Sequence, residues 1–209
     1  MQPIAEPVVY IVDDDEAIRV SLARALRTRG YAVVAFPSAQ AFLDGYVPEQ
    51  TGCLILDYGM PDMSGLELQE HLVARKISIP IIFITGHGGI SESVRAMKLG
   101  AIDFLEKPFQ QETLVKQIES AFQMDASARR IRDKTDSALA LFGNLTEREK
   151  EVAKLLVTHP SSSTSKDIAR HLGISPRTVD HHRARILEKM RVQSVAELVD
   201  VANRSKLFS

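Results

Sequence analysis

The chain has a single cysteine, Cys53, in 209 residues. That excludes an intramolecular disulfide and removes the cysteine half of any zinc-finger pattern. A lone thiol of this kind is expected in the interior as a small apolar side chain. Long apolar runs are missing as well: the longest are about strand length, and no basic segment leads into a signal-peptide core at the amino terminus. A membrane span and a secretory route are set aside, and a soluble, cytoplasmic protein without a membrane partner is expected. No glycine-rich phosphate loop follows the first apolar run, which argues against a nucleotide or flavin site. Acids stand there instead.

Hydrophobic residues make up 44% of the chain and charged residues 25%, ordinary globular proportions, and the length suits two domains. The net charge of −1 conceals an asymmetry. Residues 1–124 carry 16 acids and 10 bases, whereas residues 125–209 carry 11 acids and 16 bases. An acidic front joined to a basic rear implies two surfaces with different partners.

In the front half, short apolar runs alternate with longer amphipathic stretches, the rhythm of a parallel sheet covered by helices. The runs Val8–Val12, Ala32–Phe36, Cys53–Leu56, Ile81–Ile84 and Ile102–Leu105 are predicted strands, short and unalternating as strands buried on both faces are. Helical spacing links Ile18, Leu22, Ala25 and Leu26, then Leu66, Leu68, His71 and Leu72, then Val94, Met97 and Lys98. Gly30 and Gly100 sit where helices close.

In such a sheet a ligand binds beyond the carboxyl ends of the strands. Asp13 and Asp14, Asp57, Thr85, and Lys107 before Pro108 all follow apolar runs, so a parallel sheet would gather them. Carboxylates so placed repel by roughly 4 kcal/mol per pair at about 4 Å and an effective dielectric near 20, which calls for a cation. A hard divalent ion, Mg²⁺ or Mn²⁺, suits oxygen ligands. Lys107 and the Thr85 hydroxyl could then meet phosphoryl oxygens, with Asp57 as the nucleophile that forms an acyl phosphate. Each piece has a plainer reading when taken alone. Asp13 to Glu16 is a helix cap with solvated acids, Lys107-Pro108 a turn, and His87 a solvent-facing loop residue. The ordered set favours the phosphoryl chemistry.

Residues 125–143 read as a charged helical linker rich in arginine and alanine, with the helix continuing from the front half. From residue 144 helix punctuation is dense. Thr146 to Glu149 is a capping box before Val152, Leu155 and Leu156; a short helix from about Lys166 to Leu172 stops at Gly173; Ser175 and Pro176 open a third, with Val179, Ile186 and Met190 inward; Ser194 to Glu197 opens a fourth, with Leu198 and Val201 inward. Two helices about a tight turn at Gly173-Ile174-Ser175 form a helix-turn-helix. The third carries Arg177, Arg183, Arg185 and Lys189, with Arg191 just beyond it, and would lie in a major groove. The segment His159 to Ser165 reads as a flexible loop.

The motifs carry a resemblance. Residues 7–124, through Asp57-Tyr58-Gly59-Met60-Pro61-Asp62-Met63-Ser64-Gly65, resemble a CheY-type response-regulator receiver domain. Residues 144–207 resemble the LuxR-type DNA-binding domain, through Leu145-Thr146-Glu147-Arg148-Glu149 and Leu172-Gly173-Ile174-Ser175-Pro176-Arg177-Thr178-Val179. Together they resemble the NarL/FixJ family, especially its FixJ branch.

The resemblance implies a (βα)5 flavodoxin-like parallel sheet of order 2-1-3-4-5, then an all-α four-helix domain. The divisions are 1–124, 125–143 as linker and 144–209. It implies that Asp13, Asp14, Asp57 and the Gly59 backbone carbonyl hold Mg²⁺, and that Thr85 and Phe104 are a switch pair. The DNA-facing residues become Arg177, Thr178, Val179, Asp180, His181, His182, Arg183, Arg185 and Lys189. Asp180 stands where many relatives carry lysine, so it would accept from a cytosine amino group or repel phosphate. His181 would face bases, and His182 the backbone or the core.

The expected function is a transcriptional response regulator, not an enzyme beyond its own phosphotransfer and autodephosphorylation. A sensor histidine kinase would phosphorylate Asp57, driving homodimerisation and binding to double-stranded promoter DNA, with RNA polymerase a further partner. Two alternatives stay open: a regulator whose receiver is only a docking or dimerisation module, and a hydrolase turning over aspartyl phosphate on external substrates.

Overall fold

Five runs rich in Val, Ile, Leu and Phe form one parallel sheet: β1 (Val8–Val12), β2 (Ala32–Phe36), β3 (Gly52–Asp57), β4 (Ile81–Thr85) and β5 (Asp103–Glu106). The computed structural model describes residues 6–86, 90–159 and 164–208. His87 and residues 160–163 of the serine-rich loop lie outside them. The spatial order is β2-β1-β3-β4-β5, as the resemblance implied. Successive residues of a strand face opposite sides of the sheet. On one side Tyr10, Val12, Leu54, Leu56 and Phe83 pack against α2 (Ala39–Gly45), α3 (Gly65–Ala74) and α4 (Ile90–Lys98). On the other, Val9, Ile11, Cys53, Ile55 and Ile84 meet α1 (Glu16–Thr28) and α5 (Gln111–Gly143).

Only the three central strands are buried along both faces. The outer strands β2 and β5 are half-covered, and Val34 is 42% exposed, because an edge strand lacks a helix over part of its surface. The positions linked by helical spacing also divide. Leu22, Leu26, Leu66, Leu68 and Leu72 are buried, while His71, Val94 and Met97 are exposed and Ala96 is the inward residue of α4. Each fully buried Leu, Ile or Phe contributes about 1.5–3 kcal/mol.

The chain divides into two compact units, residues 1–128 and 129–209. Helix α5 is continuous through the stretch expected as a linker. Asp125 of that stretch is buried in the first unit, accepting from the Gly52 N–H at 2.9 Å, whereas Leu141 and Phe142 pack into the core of the second. Among the described residues no helix is long and apolar enough to cross a membrane.

The second unit contains α6 (Glu147–Thr158), α7 (Ser165–Leu172), α8 (Pro176–Met190) and α9 (Val195–Arg204) around Val152, Leu156, Ile168, Val179, Ile186, Met190 and Leu198. The caps are those predicted. Thr146 and Glu149 exchange hydrogen bonds across the first turn of α6, and Gly173 closes α7 at φ 64°, a left-handed conformation that costs glycine little. The box opening α9 is displaced: Ser194 accepts from the Glu197 N–H, but the Glu197 carboxylate accepts from Gln193 N–H.

Candidate functional site

The order of the strands reverses at β1 and β3, and the crevice at their carboxyl ends receives two carboxylates. Asp13 follows β1 and Asp57 ends β3; they are 1% and 7% exposed. Lys107, just past β5, reaches between them, with Nζ 2.7 Å from Asp57 Oδ1 and 3.1 Å from Asp13 Oδ2. The lysine backbone is held by its N–H donating to the Thr85 carbonyl at 2.7 Å. Remaining carboxylate oxygens are also placed: Asp13 Oδ1 accepts from Asp15 N–H and Asp57 Oδ2 from Gly59 N–H, both at 2.9 Å. The sheet thus brings together Asp13, Asp57, Thr85 and Lys107 from separate parts of the sequence.

The electrostatics follow from two buried acids sharing one base. Burial pushes Asp13 above the ordinary carboxylate value, and the neighbouring charge of Asp57 adds to this; the bond and charge of Lys107 only partly oppose them. Burial likewise acts to lower the Lys107 ammonium, but its bonds to Asp57 and Asp13 outweigh that and leave it raised. The cluster is short of positive charge.

Of the expected metal donors, Asp13 and Asp57 converge on Lys107. Asp14 is exposed, and among the described residues no three acidic, histidine or cysteine side chains are grouped for a metal. Lys107 supplies the counter-charge between Asp13 and Asp57. The chemistry of the donors nevertheless fits a hard divalent cation, since they are all oxygens and Asp13 is under-compensated.

Thr85 is buried at 2% exposure. Phe104 is half-buried on β5 opposite Phe83, its ring centroid 5.9 Å from those of both Phe83 and Tyr58. Partners in a parallel register and residues two apart share a face, so Thr85, Phe83 and Phe104 lie on one side of the sheet.

Several residues that build the site gave no isolated signal. Arg19 Nη1 donates to the carbonyls of Asp13 (2.8 Å) and Asp14 (3.3 Å), bracing the acidic turn from α1. Asp15, by contrast, lies in the run already read as a helix cap and is the N-cap of α1, accepting from Ala17 N–H and Ile18 N–H. Gly65 matters by lacking a side chain, because a Cβ there would come within 2.3 Å of the Asp57 carbonyl. Only the box Ser64 to Glu67, which fixes α3 beside it, has a readable S-x-x-E pattern.

In the second unit, α8 turns Val179, Ile186 and Met190 inward, all 2% exposed or less. At 100° per residue the opposite face carries Arg177, His181, Ala184 and Glu188, flanked by Thr178 and Arg185. Arg177, Thr178, His181 and Arg185 are exposed, as groove contacts require. Two predicted DNA contacts need correction. Val179 is fully buried and serves the core, as its spacing with Ile186 and Met190 predicted and the resemblance did not, and Lys189 points back to α6, where Nζ is 2.6 Å from Glu149 Oε2. His182 is half-buried and turns Nδ1 inward. Asp180 and Arg183 are engaged with Ser165.

Family comparison adds a separate line. The response regulator receiver domain matches residues 9–119, and the luxR family of bacterial regulatory proteins matches residues 143–202. The transcriptional regulatory protein FixJ of Rhizobium meliloti is 44% identical over 93% of this chain and 94% of its own length. A low-resolution structure of the response regulator StyR superposes with a TM-score of 0.84 at 46% identity, covering 96% of this chain and all of that one (100%). Full-length FixJ from B. japonicum matches with a TM-score of 0.57 at 38% identity over 98% of this chain and 100% of that one.

Proposed function

The chain belongs to the FixJ-like two-component response regulators, a receiver followed by a LuxR-type DNA-binding domain, and from that premise we propose that Asp57 is the phosphoacceptor. The family is one of signalling regulators rather than enzymes acting on external substrates, and it implies a histidine kinase and DNA as partners. The observation that carries the reading is Lys107 bridging two buried carboxylates at the sheet's carboxyl edge.

In the transfer, an Asp57 carboxylate oxygen attacks the phosphorus carried by the kinase histidine. The phosphorus–nitrogen bond breaks, its electron pair returns to the imidazole, and an acyl phosphate remains. Lys107 exchanges a carboxylate oxygen for a phosphoryl oxygen, and the Thr85 hydroxyl donates to another. With Thr85 drawn toward the phosphoryl group, the Phe104 ring moves into the space behind it. Receiver domains bind Mg²⁺ generally; Asp13, Asp14, Asp57 and the Gly59 carbonyl would hold Mg²⁺ or Mn²⁺, which would supply the positive charge this cluster lacks. In autodephosphorylation water attacks the same phosphorus, the bond from phosphorus to the Asp57 oxygen breaks, and inorganic phosphate leaves with the carboxylate restored.

The output follows through α4 and β5. Val94 and Met97 leave 46% and 45% of their surfaces exposed on α4, apolar area suited to pairing two phosphorylated molecules. The pair presents two α8 helices, through Arg177, Thr178, His181 and Arg185, to half-sites of a promoter, and RNA polymerase is the onward partner. The test is radiolabelled phosphoramidate or acetyl phosphate with Mg²⁺. Wild type should be labelled and bind promoter fragments more tightly, and Asp57→Asn should do neither. Labelling of Asp57→Asn at the wild-type level defeats the assignment; equal DNA affinity with and without phosphodonor makes the receiver a docking module.

A further inference from the structure

The recognition helix carries a carboxylate that is not turned loose toward solvent. Asp180 Oδ1 accepts from the Ser165 hydroxyl at 2.5 Å, and that hydroxyl oxygen in turn accepts from Arg183 Nη1 at 3.1 Å. Asp180 and Arg183 are three residues apart on α8, and Ser165 is the first residue of α7, so the chain of bonds ties the two helices of the helix-turn-helix together. Asp180 is exposed at the edge of the outward face of α8, while Arg183 is half-buried and lies nearer the core-facing side.

Each link has a consequence for charge. The Ser165 hydroxyl has one proton; given to Asp180, it leaves the oxygen as an acceptor oriented toward Arg183. The guanidinium is thereby held against α7, and its charge is partly offset by a carboxylate close by. A side chain engaged in this way is withheld from DNA phosphates, which are contacted by free Arg and Lys.

We infer that Asp180 is a positioning residue that restrains Arg183 through Ser165, lowering the general attraction of α8 for DNA so that binding depends more on base contacts. The inference rests on the reading of α8 as the DNA-facing helix. Its chemistry is specific to duplex phosphate: one fewer cation is offered to the backbone, and one anion is placed beside it.

The test uses the full chain and a random-sequence duplex of about thirty base pairs, followed by fluorescence anisotropy from 50 to 300 mM KCl. Asp180→Asn should bind about fivefold more tightly at low salt, the effect of roughly 1 kcal/mol for a charge near phosphate in water. The slope of log affinity against log salt should steepen by about 0.9, the signature of one more neutralised phosphate. Asp180→Ala should behave alike, and circular dichroism checks that all variants are folded. In an Arg183→Gln background the slope change on adding Asp180→Asn should vanish. An unchanged slope in both Asp180 variants overturns the inference, as does a slope change that persists without Arg183, since the carboxylate would then act by repulsion alone. If wild type and variants all fail to bind duplex at any salt, the DNA-facing reading of α8 itself falls.

Discussion

Replacing Glu149 by glutamine removes a charge from the interior of the second unit while keeping the shape of the side chain. Glu149 is 2% exposed and serves two elements: Oε2 accepts from the Thr146 N–H at 2.8 Å, capping α6, and from Lys189 Nζ at 2.6 Å, fastening α8. Burial acts to raise its pKa, but the Lys189 bond and the Thr146 backbone and hydroxyl bonds prevail and hold it down at about 2, against an ordinary 4.5. At about 1.4 kcal/mol per tenfold step, that difference corresponds to about 3 kcal/mol of stability at neutral pH. Lys189 is 30% exposed and can recover water when its partner is lost, so about 2 kcal/mol is the expected cost. Because the folded value is the depressed one, this stability is fully present above pH 4.5 and lost as pH falls toward 2. The assay is urea unfolding by far-ultraviolet circular dichroism. The four tyrosines, Tyr10, Tyr31, Tyr46 and Tyr58, all lie in the first unit and there is no tryptophan, so tyrosine emission reports the receiver separately. Glu149→Gln should lower the midpoint of the helical transition at pH 7 and leave the tyrosine transition in place, with the gap closing toward pH 2.5. Coincident curves at pH 7, or a gap that ignores pH, refute the reasoning.

Gly52→Ala should destabilise the receiver by about 2 kcal/mol or more, since a Cβ would sit 2.2 Å from the Val8 carbonyl oxygen in the central ladder; an unshifted tyrosine transition would contradict it. Asp13→Asn should raise the receiver's midpoint at pH 7 without divalent cations, because burial lifts the Asp13 pKa in the fold and that group's contribution is lost as pH rises from 3.8 through the raised value. The gain should shrink below pH 4, and added Mg²⁺ should stabilise wild type more than the variant; a lower midpoint for Asp13→Asn at pH 7 counts against it. Met97→Glu should abolish phosphodonor-dependent pairing in sedimentation while Asp57 labelling continues, and a dimer that survives would place the interface elsewhere.

Much of the fold could be read along the chain because its signals are local. The strands β1 and β2 have the predicted bounds, and Ser175-Pro176 and Gly173 mark helix ends by the geometry of their own residues. Family membership was legible for the same reason, in short motifs around Asp57, Thr146 and Gly173. Side-chain roles were less legible, because the deciding neighbour can be distant. Lys189 looked like a phosphate contact by charge and helix position, yet its partner Glu149 lies on α6. Helical spacing marked Val94 and Met97 as helical without saying which face they take, and the sheet meets α4 at Ala96. For Val179 the helical spacing shared with Ile186 and Met190, which put it inward, prevailed over the motif that placed it among the DNA-facing residues.

The sequence by itself determined the order of elements, the two-part division of charge, and which residue types stand at the strand ends, since apolar runs, caps and breakers act over a few residues. Only the tertiary structure decided how those residues meet. Asp13 and Asp57 are neighbours because β1 and β3 pair, and Lys107 enters between them because β5 ends at the same edge. In the second unit it likewise decided which cations of α8 stay exposed and which are taken by Glu149 or Ser165. Charge is carried by each residue alone, whereas burial and pairing belong to the residues that folding brings beside it.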